Sequence, residues 1–523
     1  MLLRNTEGGE EEVRLADPCT ARVVRASLPE DRLRELHAAV AEALGARKRR
    51  THALEVARHL RAAGDAGAAY PLYVQAARRA AREARYGEVL DVCDAAASVR
   101  ADGEAALSPE DRLRAGCWLD LLRGEALLAR RAWDDAVAPL ERAVEAAHGE
   151  PELGPRTLGA LGRAHYRAGR YPEAEPLLRE SLRLAAPGSP DRGGAMRALA
   201  DMALRAGRLA DAERLLTETL FASTDAGSRD GEARARRGLA HLRAIQGRLR
   251  ESLELLGQAD DLLAPDGDYR VRAGIMARAI ELEMAAGRLG SALYRAEALV
   301  ELARRHGMGE RLPEAYALLG DLLLRLGDFD EAEDAAHQAL VFAKATDSAG
   351  WDPRLRAARV LADLGRVHDG FAALPPAEDV GPSPVDDPPA QFAAVSARLF
   401  VASEPARARD LATWALTRPA PMLSLTGVRI AQDAGLAMLE LGQPDAARAA
   451  FKRGLKLLGA ADAIEGADGL RLELMVEMNR AAPDARVSEG IRQVVERMMP
   501  ALPAHAAERF RARPGIREAL GAR

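Results

Sequence analysis

L-G-R-A-H-Y-R-A-G-R-Y-P-E-A-E-P-L-L-R-E-S-L, from Leu161 to Leu182, returns as L-A-D-M-A-L-R-A-G-R-L-A-D-A-E-R-L-L-T-E-T-L (Leu199 to Leu220). It returns again as L-G-D-L-L-L-R-L-G-D-F-D-E-A-E-D-A-A-H-Q-A-L (Leu319 to Leu340). The glycines at the centre of this pattern, Gly169, Gly207, Gly247, Gly287 and Gly327, lie 38, 40, 40 and 40 residues apart. A period of that length built from paired helices defines a solenoid. Glycine at the turn takes the left-handed conformation that ends the first helix of a pair. Alanine at Ala174, Ala212, Ala292 and Ala332 lets two backbones cross, and leucines such as Leu178 and Leu216 fill the gap between neighbouring units. One pair cannot bury that apolar stripe alone, so stability must come from stacking. The expected fold is all-α, a right-handed α-solenoid of roughly ten to twelve helical pairs.

Composition agrees with an array that grows in one direction. The 523 residues are 48% hydrophobic and 29% charged, but only 4% aromatic, so the core must be built from alanine and leucine. A formal net charge of -5 provides no global positive field for nucleic acid or an anionic membrane. The arginine excess over four lysines (Lys48, Lys344, Lys452 and Lys456) carries no functional reading. Cys19, Cys93 and Cys117 are odd in number and lack C-x-x-C spacing, which argues against a disulfide framework or a structural zinc. The start at Met1-Leu2-Leu3-Arg4 has no signal-peptide pattern, and no apolar run is long enough to span a bilayer. A soluble, cytoplasmic protein is expected.

Along the chain, Leu2 to Leu15 reads as a hairpin around Gly8-Gly9, and Pro18 to Ser27 as a helix capped by Asp17. Helical pairs are expected over residues 46–373. A Pro-rich linker or loop follows over 374–390, where prolines remove backbone donors. Further helical repeats are expected over 391–500 and a basic C-terminal tail over 501–523.

The residues L-G-x-x-x-x-x-x-G-x-Y-x-E-A at Leu161 to Ala174 resemble the tetratricopeptide repeat, with units longer than is usual for that family. The stretches L-A-D-P-C-T-A-R-V-V-R-A-S-L-P-E-D-R (Leu15 to Arg32) and A-R-H-L-R-A-A-G-D (Ala57 to Asp65) resemble the junction after a STAND-type NTPase. In that family, which includes the MalT-like regulators and bacterial multidomain kinases, a winged-helix domain passes into a tetratricopeptide-like sensor arm. The resemblance implies a winged-helix remnant with connecting helices over residues 1–45. No G-x-x-x-x-G-K-[ST] is present, so the NTPase itself is absent from this sequence. The segment R-F-R-A-R-P-G-I-R (Arg509 to Arg517) is similar to the segment that follows such arms.

Candidate chemistry is sparse. His52, Glu55 and His59 share a helix face, but no fourth metal ligand accompanies them and the stretch follows the family's structural pattern. Gly307-Met308-Gly309 lacks the third glycine of a dinucleotide fingerprint, and neither H-E-x-x-H nor G-x-S-x-G occurs. Arg47-Lys48-Arg49-Arg50 reads as a solvated turn. No catalytic residue, metal site or cofactor is expected.

The tetratricopeptide resemblance implies that the first helix of each pair lines a groove. Alignment on the turn glycine then places Arg156, Arg163 and Tyr166, next Arg197 and Asp201, and next Arg234, Arg237 and His241 along it. Glu281, Glu314 and Asp321 occupy the same face further on, so the groove is expected to be basic in its middle and acidic beyond. Arginine forks suit carboxylates and phosphates. The expected ligand is therefore a protein or peptide, acidic in character, or a small anionic effector; nucleic acid and membrane are not expected partners. The expected role is a non-enzymatic regulatory or scaffolding arm in signal transduction or transcriptional regulation. A stand-alone peptide- or metabolite-sensing receptor is the alternative, and an enzyme with an unrecognised site stands behind both.

Overall fold

The computed structural model describes residues 2–7, 10–15, 23, 26–46, 53–83, 85–130, 132–148, 150–263, 268–346, 350–380, 385–421, 424–459 and 466–521. The helix expected over Pro18 to Ser27, the Arg47–Arg50 turn and His52 fall largely or wholly outside them. The chain forms two compact units, residues 1–184 and 185–523.

The first unit opens with an antiparallel hairpin, β1 (Leu2–Glu7) and β2 (Glu10–Leu15), in the register Leu2 to Leu15 through Glu7 to Glu10. Among the described residues nine helices follow: α1 (Glu30–Ala46), α2 (Ala53–Ala63), α3 (Ala66–Arg82), α4 (Tyr86–Ala97), α5 (Arg100–Ala105), α6 (Pro109–Ala129), α7 (Trp133–Ala146), α8 (Gly154–Arg167) and α9 (Tyr171–Leu184).

The second unit is built of helices throughout its described residues. It begins with α10 (Pro190–Arg205), α11 (Leu209–Asp225), α12 (Arg229–Ile245), α13 (Leu249–Leu262), α14 (Tyr269–Ala286), α15 (Leu289–Arg305), α16 (Leu312–Leu326), α17 (Phe329–Thr346), α18 (Trp351–Asp363) and α19 (Val367–Ala373). It continues with α20 (Pro388–Phe400), α21 (Pro405–Thr417), α22 (Ser424–Glu440), α23 (Pro444–Gly459), α24 (Asp468–Ala481), α25 (Ala485–Met498), α26 (Ala504–Ala512) and α27 (Pro514–Leu520).

The repeat logic is visible at atomic level. Gly169, Gly207, Gly247, Gly287 and Gly327 have φ between 73° and 85°, where a side chain would strain the backbone. Five residues after each, Ala174, Ala212, Ala292 and Ala332 are fully buried; Ser252 takes this place after Gly247 and donates to the Ala240 carbonyl at 2.6 Å. Small residues on the first helix also receive large ones from the second. Leu178 fills the space where a Cβ on Gly162 would sit, and Phe451 does the same at Gly435. Helix starts are capped as their sequences require: Ser189 accepts from the Arg192 amide at 3.2 Å and Asp268 from the Arg270 amide at 3.0 Å.

Two stretches differ from the sequence reading. The described residues of 374–387 contain no α-helix, but Pro388 and Pro389 open α20 instead of ending the irregular stretch, because the first turn of a helix needs no donor there. Val380 and Val385 are buried, so this connection is packed against the unit. Residues 504–520, expected as a basic tail, form α26 and α27, and burial of Phe510 and Ile516 explains why they fold. This C-terminal part returns on the middle of its own unit. Gly469 abuts the Met284 carbonyl, Gly290 the Ala501 carbonyl and Gly327 the Arg509 carbonyl, each too close for a Cβ.

Candidate functional site

The first helices of the pairs carry a charged position six residues before each turn glycine: Arg163, Asp201, His241, Glu281 and Asp321. What each can do depends on what surrounds it.

In the first unit, Arg156 grips Glu125 with two hydrogen bonds of 3.0 and 2.7 Å, and its guanidinium lies 5.2 Å from the Trp118 ring centre. Arg78 stacks over the same ring at 4.1 Å. Arg163 is half-buried, its guanidinium against Gly159. Tyr166 is 5% exposed and packs on Tyr171, ring centres 5.9 Å apart. The sequence reading picked out Arg156 but missed Trp118 and Glu125, which lie on the preceding first helix α6.

In the second unit, α10, α12 and α14 are successive first helices. Arg197, Arg234, Arg237 and His241 all lie on them, half-buried. Arg234 pairs with Asp268, while its buried Nε has no hydrogen-bond partner. Arg237 reaches across to α14, where its guanidinium occupies the space a Cβ on Gly274 would need. His241 follows one turn later. Removal from water holds its pKa well below the usual histidine value, and the charges of Arg278, Arg205 and Arg237 lower it further.

From Glu281 onward the acids of this face are paired with arginines of the same unit. Asp321 accepts from Arg325 at 3.0 Å and lies 3.5 Å from both Arg356 and Arg429. Burial alone would raise its pKa, but Arg325, Arg429, Arg356 and Arg359 together drive it far below the carboxylate range. Arg356, 6% exposed, also binds Glu281 at 2.6 Å. Further on, Arg359 pairs with Asp433 at 2.8 Å, Arg398 with Asp363 at 2.6 Å, and Arg513 with Glu473 at 2.7 Å. Arg513 also donates to the Arg325 carbonyl at 2.8 Å. The expected acidic stretch of groove is therefore corrected: Asp321 and Glu281 are held by arginines from helices far along the chain, and Glu314 pairs with Arg311 at 2.8 Å.

Other candidate chemistry is structural. His37 and His59 join α1 to α2 through Nδ1 atoms 2.8 Å apart, one ring donating to the other. Among the described residues, no group of three or more histidine, cysteine or acidic side chains is placed to hold a metal. Burial pushes the Cys93 and Cys117 thiols up to about 12 and about 11, which removes thiolate reactivity at neutral pH. No described helix is long and apolar enough to cross a membrane.

Stacked helical pairs carrying a charged first-helix face define a helical-repeat array. Residues 155–180, 193–217 and 313–338 match the family model of the tetratricopeptide repeat, so these stretches are such repeats. No curated protein matches the chain. Among solved structures, a Rap protein complexed with competence and sporulation factor gives a TM-score of 0.42 at 12% identity, covering 72% of this chain and 99% of that one. The APC/C hetero-tetramer Cut9–Hcn1 gives 0.40 at 12% identity, over 92% of this chain and 98% of that one. A Podosopora anserina putative kinesin light chain with nearly identical TPR-like repeats gives 0.31 at 20% identity, over 38% and 98%.

Proposed function

We propose that this protein is a non-enzymatic regulatory or scaffolding array, and that it holds an acidic partner peptide or a small anionic effector on the first-helix face of α10, α12 and α14. The observation that carries this reading is that Arg197, Arg234, Arg237 and His241 lie half-buried on the successive first helices α10 and α12, with Arg237 reaching across to Gly274 of α14. Arginine forks brought together on one face favour an oxyanion-bearing guest. Arg156, Arg163 and Tyr166 extend the proposal to the first unit, where the Arg156–Trp118 stack is the corresponding feature. By its resemblance to the sensor arm of STAND-type regulators, the array reports to an ATPase, kinase or transcriptional output carried elsewhere, with residues 1–45 as the winged-helix remnant. A stand-alone receptor is distinguished by a response to ligand in the absence of any such output.

Fluorescence anisotropy with a labelled Asp/Glu-rich peptide tests the face. Arg197→Ala with Arg237→Ala should weaken binding by about 1.5–3 kcal/mol for each charged hydrogen bond to the peptide that is removed. Unchanged affinity, together with unchanged capture of partners by the full array, overturns the assignment of this surface.

A further inference from the structure

Between α13, α14 and α15 lies an open hollow of about 530 Å³, and the repeat itself shows how it is made. Eight residues before the turn glycine, the other four units carry Leu161, Leu199, Leu239 and Leu319, whereas the unit of Gly287 carries Ala279. Ten residues after the turn glycine, four units carry Arg179, Thr217, Glu297 and His337. The unit of Gly247 has Gly257 there, and a Cβ added to it would meet nothing within 4 Å. Both truncated positions line the hollow, so the space lies where two side chains of the repeat have been left out. A volume of this size suits a small-molecule guest.

The walls break the pattern in the opposite sense, by adding charge. Arg295 stands eight residues after Gly287, where Leu177, Leu215 and Leu255 follow their own turn glycines. It is held by the buried Glu283 at 3.3 Å, and Ser291 donates to the same carboxylate at 2.7 Å. Arg250 pairs with Glu254 at 3.1 Å. Arg288 is different. Arg170 and Arg248, at the same repeat position, pair with Asp134 and Glu251, but the exposed Arg288 enters no ion pair among the described residues. Of the three arginines and two glutamates that line the hollow, one cation is thus left over, beside the apolar surface of Leu253, Leu256 and Ala279. A single excess positive charge on an apolar lining suits one carboxylate on a short aliphatic body. A guanidinium fork holds both oxygens of a carboxylate at once, whereas a dianion or a cation would leave charge unmatched.

We propose that this hollow binds a small aliphatic monocarboxylate, with its carboxylate on Arg288 and its chain against Leu253, Leu256 and Ala279. Gly257 keeps the space open, and Glu283 with Ser291 holds Arg295 in the wall. Arg288 and the leucines belong to the second helices α13 and α15 and the turn between pairs of helices. The site is therefore separate from the first-helix face proposed for an acidic peptide, and neither reading needs the other.

Octanoate is the probe, octanol is the uncharged control, and titration calorimetry on the full chain reads binding. Octanoate should bind about tenfold more tightly than octanol, and Arg288→Gln should remove that advantage while leaving octanol unmoved. Gly257→Leu puts a side chain into open space on an exposed stretch of helix, so the urea midpoint should hold or rise while binding of both compounds is lost. Equal affinity for octanoate and octanol overturns the site, as does octanoate binding that survives both Arg288→Gln and Gly257→Leu. A Glu-rich peptide that binds through Arg288 where octanoate does not overturns the small-molecule guest. Neither substitution should alter the dependence of acidic-peptide binding on Arg197 and Arg237, so this site and that surface fail separately.

Discussion

Two lengths of one face within the second unit, α10 to α14 and α16 to α24, are made of the same kinds of residue at the same repeat positions. In the upstream length, Arg197, Arg234 and Arg237 lie half-buried on α10 and α12, and burial with the charges of Arg278, Arg205 and Arg237 holds the His241 pKa well below the usual histidine value. In the downstream length, Asp321, Glu473 and Asp433 are each matched by an arginine at 2.7–3.0 Å. Charge at a repeat position is thus half-buried in one place and a fully buried, paired core feature in the other. Arg356 of α18 reaches Asp321 and Glu281, one and two pairs back, whereas Arg429 and Arg513 come from further along the unit.

If that contrast holds, removing a charge downstream should damage the fold and removing one upstream should damage binding. Asp321→Ala leaves Arg325, Arg356 and Arg429 buried without their shared carboxylate and should cost about 3–5 kcal/mol, read by urea unfolding. Next in size is Gly290→Ala, whose new Cβ meets the Ala501 carbonyl; a destabilisation of about 1–3 kcal/mol is expected, with faster hydrogen exchange in residues 499–513.

Glu477 on α24 sharpens the comparison through pH. Burial raises its pKa to about 7, only partly offset by Arg480. Its native pKa lies above its unfolded value, so the native state binds the proton more tightly. The stabilisation it contributes is full below about pH 4.5 and is lost as pH rises through about 7. Glu477→Gln should therefore stabilise the protein near pH 8 by about 1–2 kcal/mol, allowing for its partial exposure, and leave it nearly unchanged near pH 5. The smallest effect on stability belongs upstream: Arg237→Ala should lower stability to urea by no more than about 0.5 kcal/mol while weakening binding of the acidic peptide. A large loss of stability there would make Arg237 a core residue like Arg356 and erase the distinction.

How much of this was legible depended on range. The turn glycines and the small residues five positions later were readable because a left-handed turn and a close helix crossing are demands made within one pair. The candidate positions fall on first helices, Arg197 on α10 and Arg237 with His241 on α12. The role of Glu281 and Asp321 was not, since Arg356 stands 75 residues from the first and Arg429 comes from yet another pair. Gly274 gave no signal either; as a helical glycine it reads as a weak point, and only the neighbouring Arg237 explains it. The basic stretch after residue 501 looked like a tail because its few apolar residues, Phe510 and Ile516, find their cover on α24 and α25 of the same unit and on α16, far upstream in sequence.

The sequence by itself determined the helical pair and its period, because each of these follows from packing between residues less than one repeat apart. Only the tertiary structure decided which first-helix charges are paired in the core, because that depends on where helices far along the chain pack. A buried ion pair is set by the geometry of both partners, and no local pattern records the position of the second.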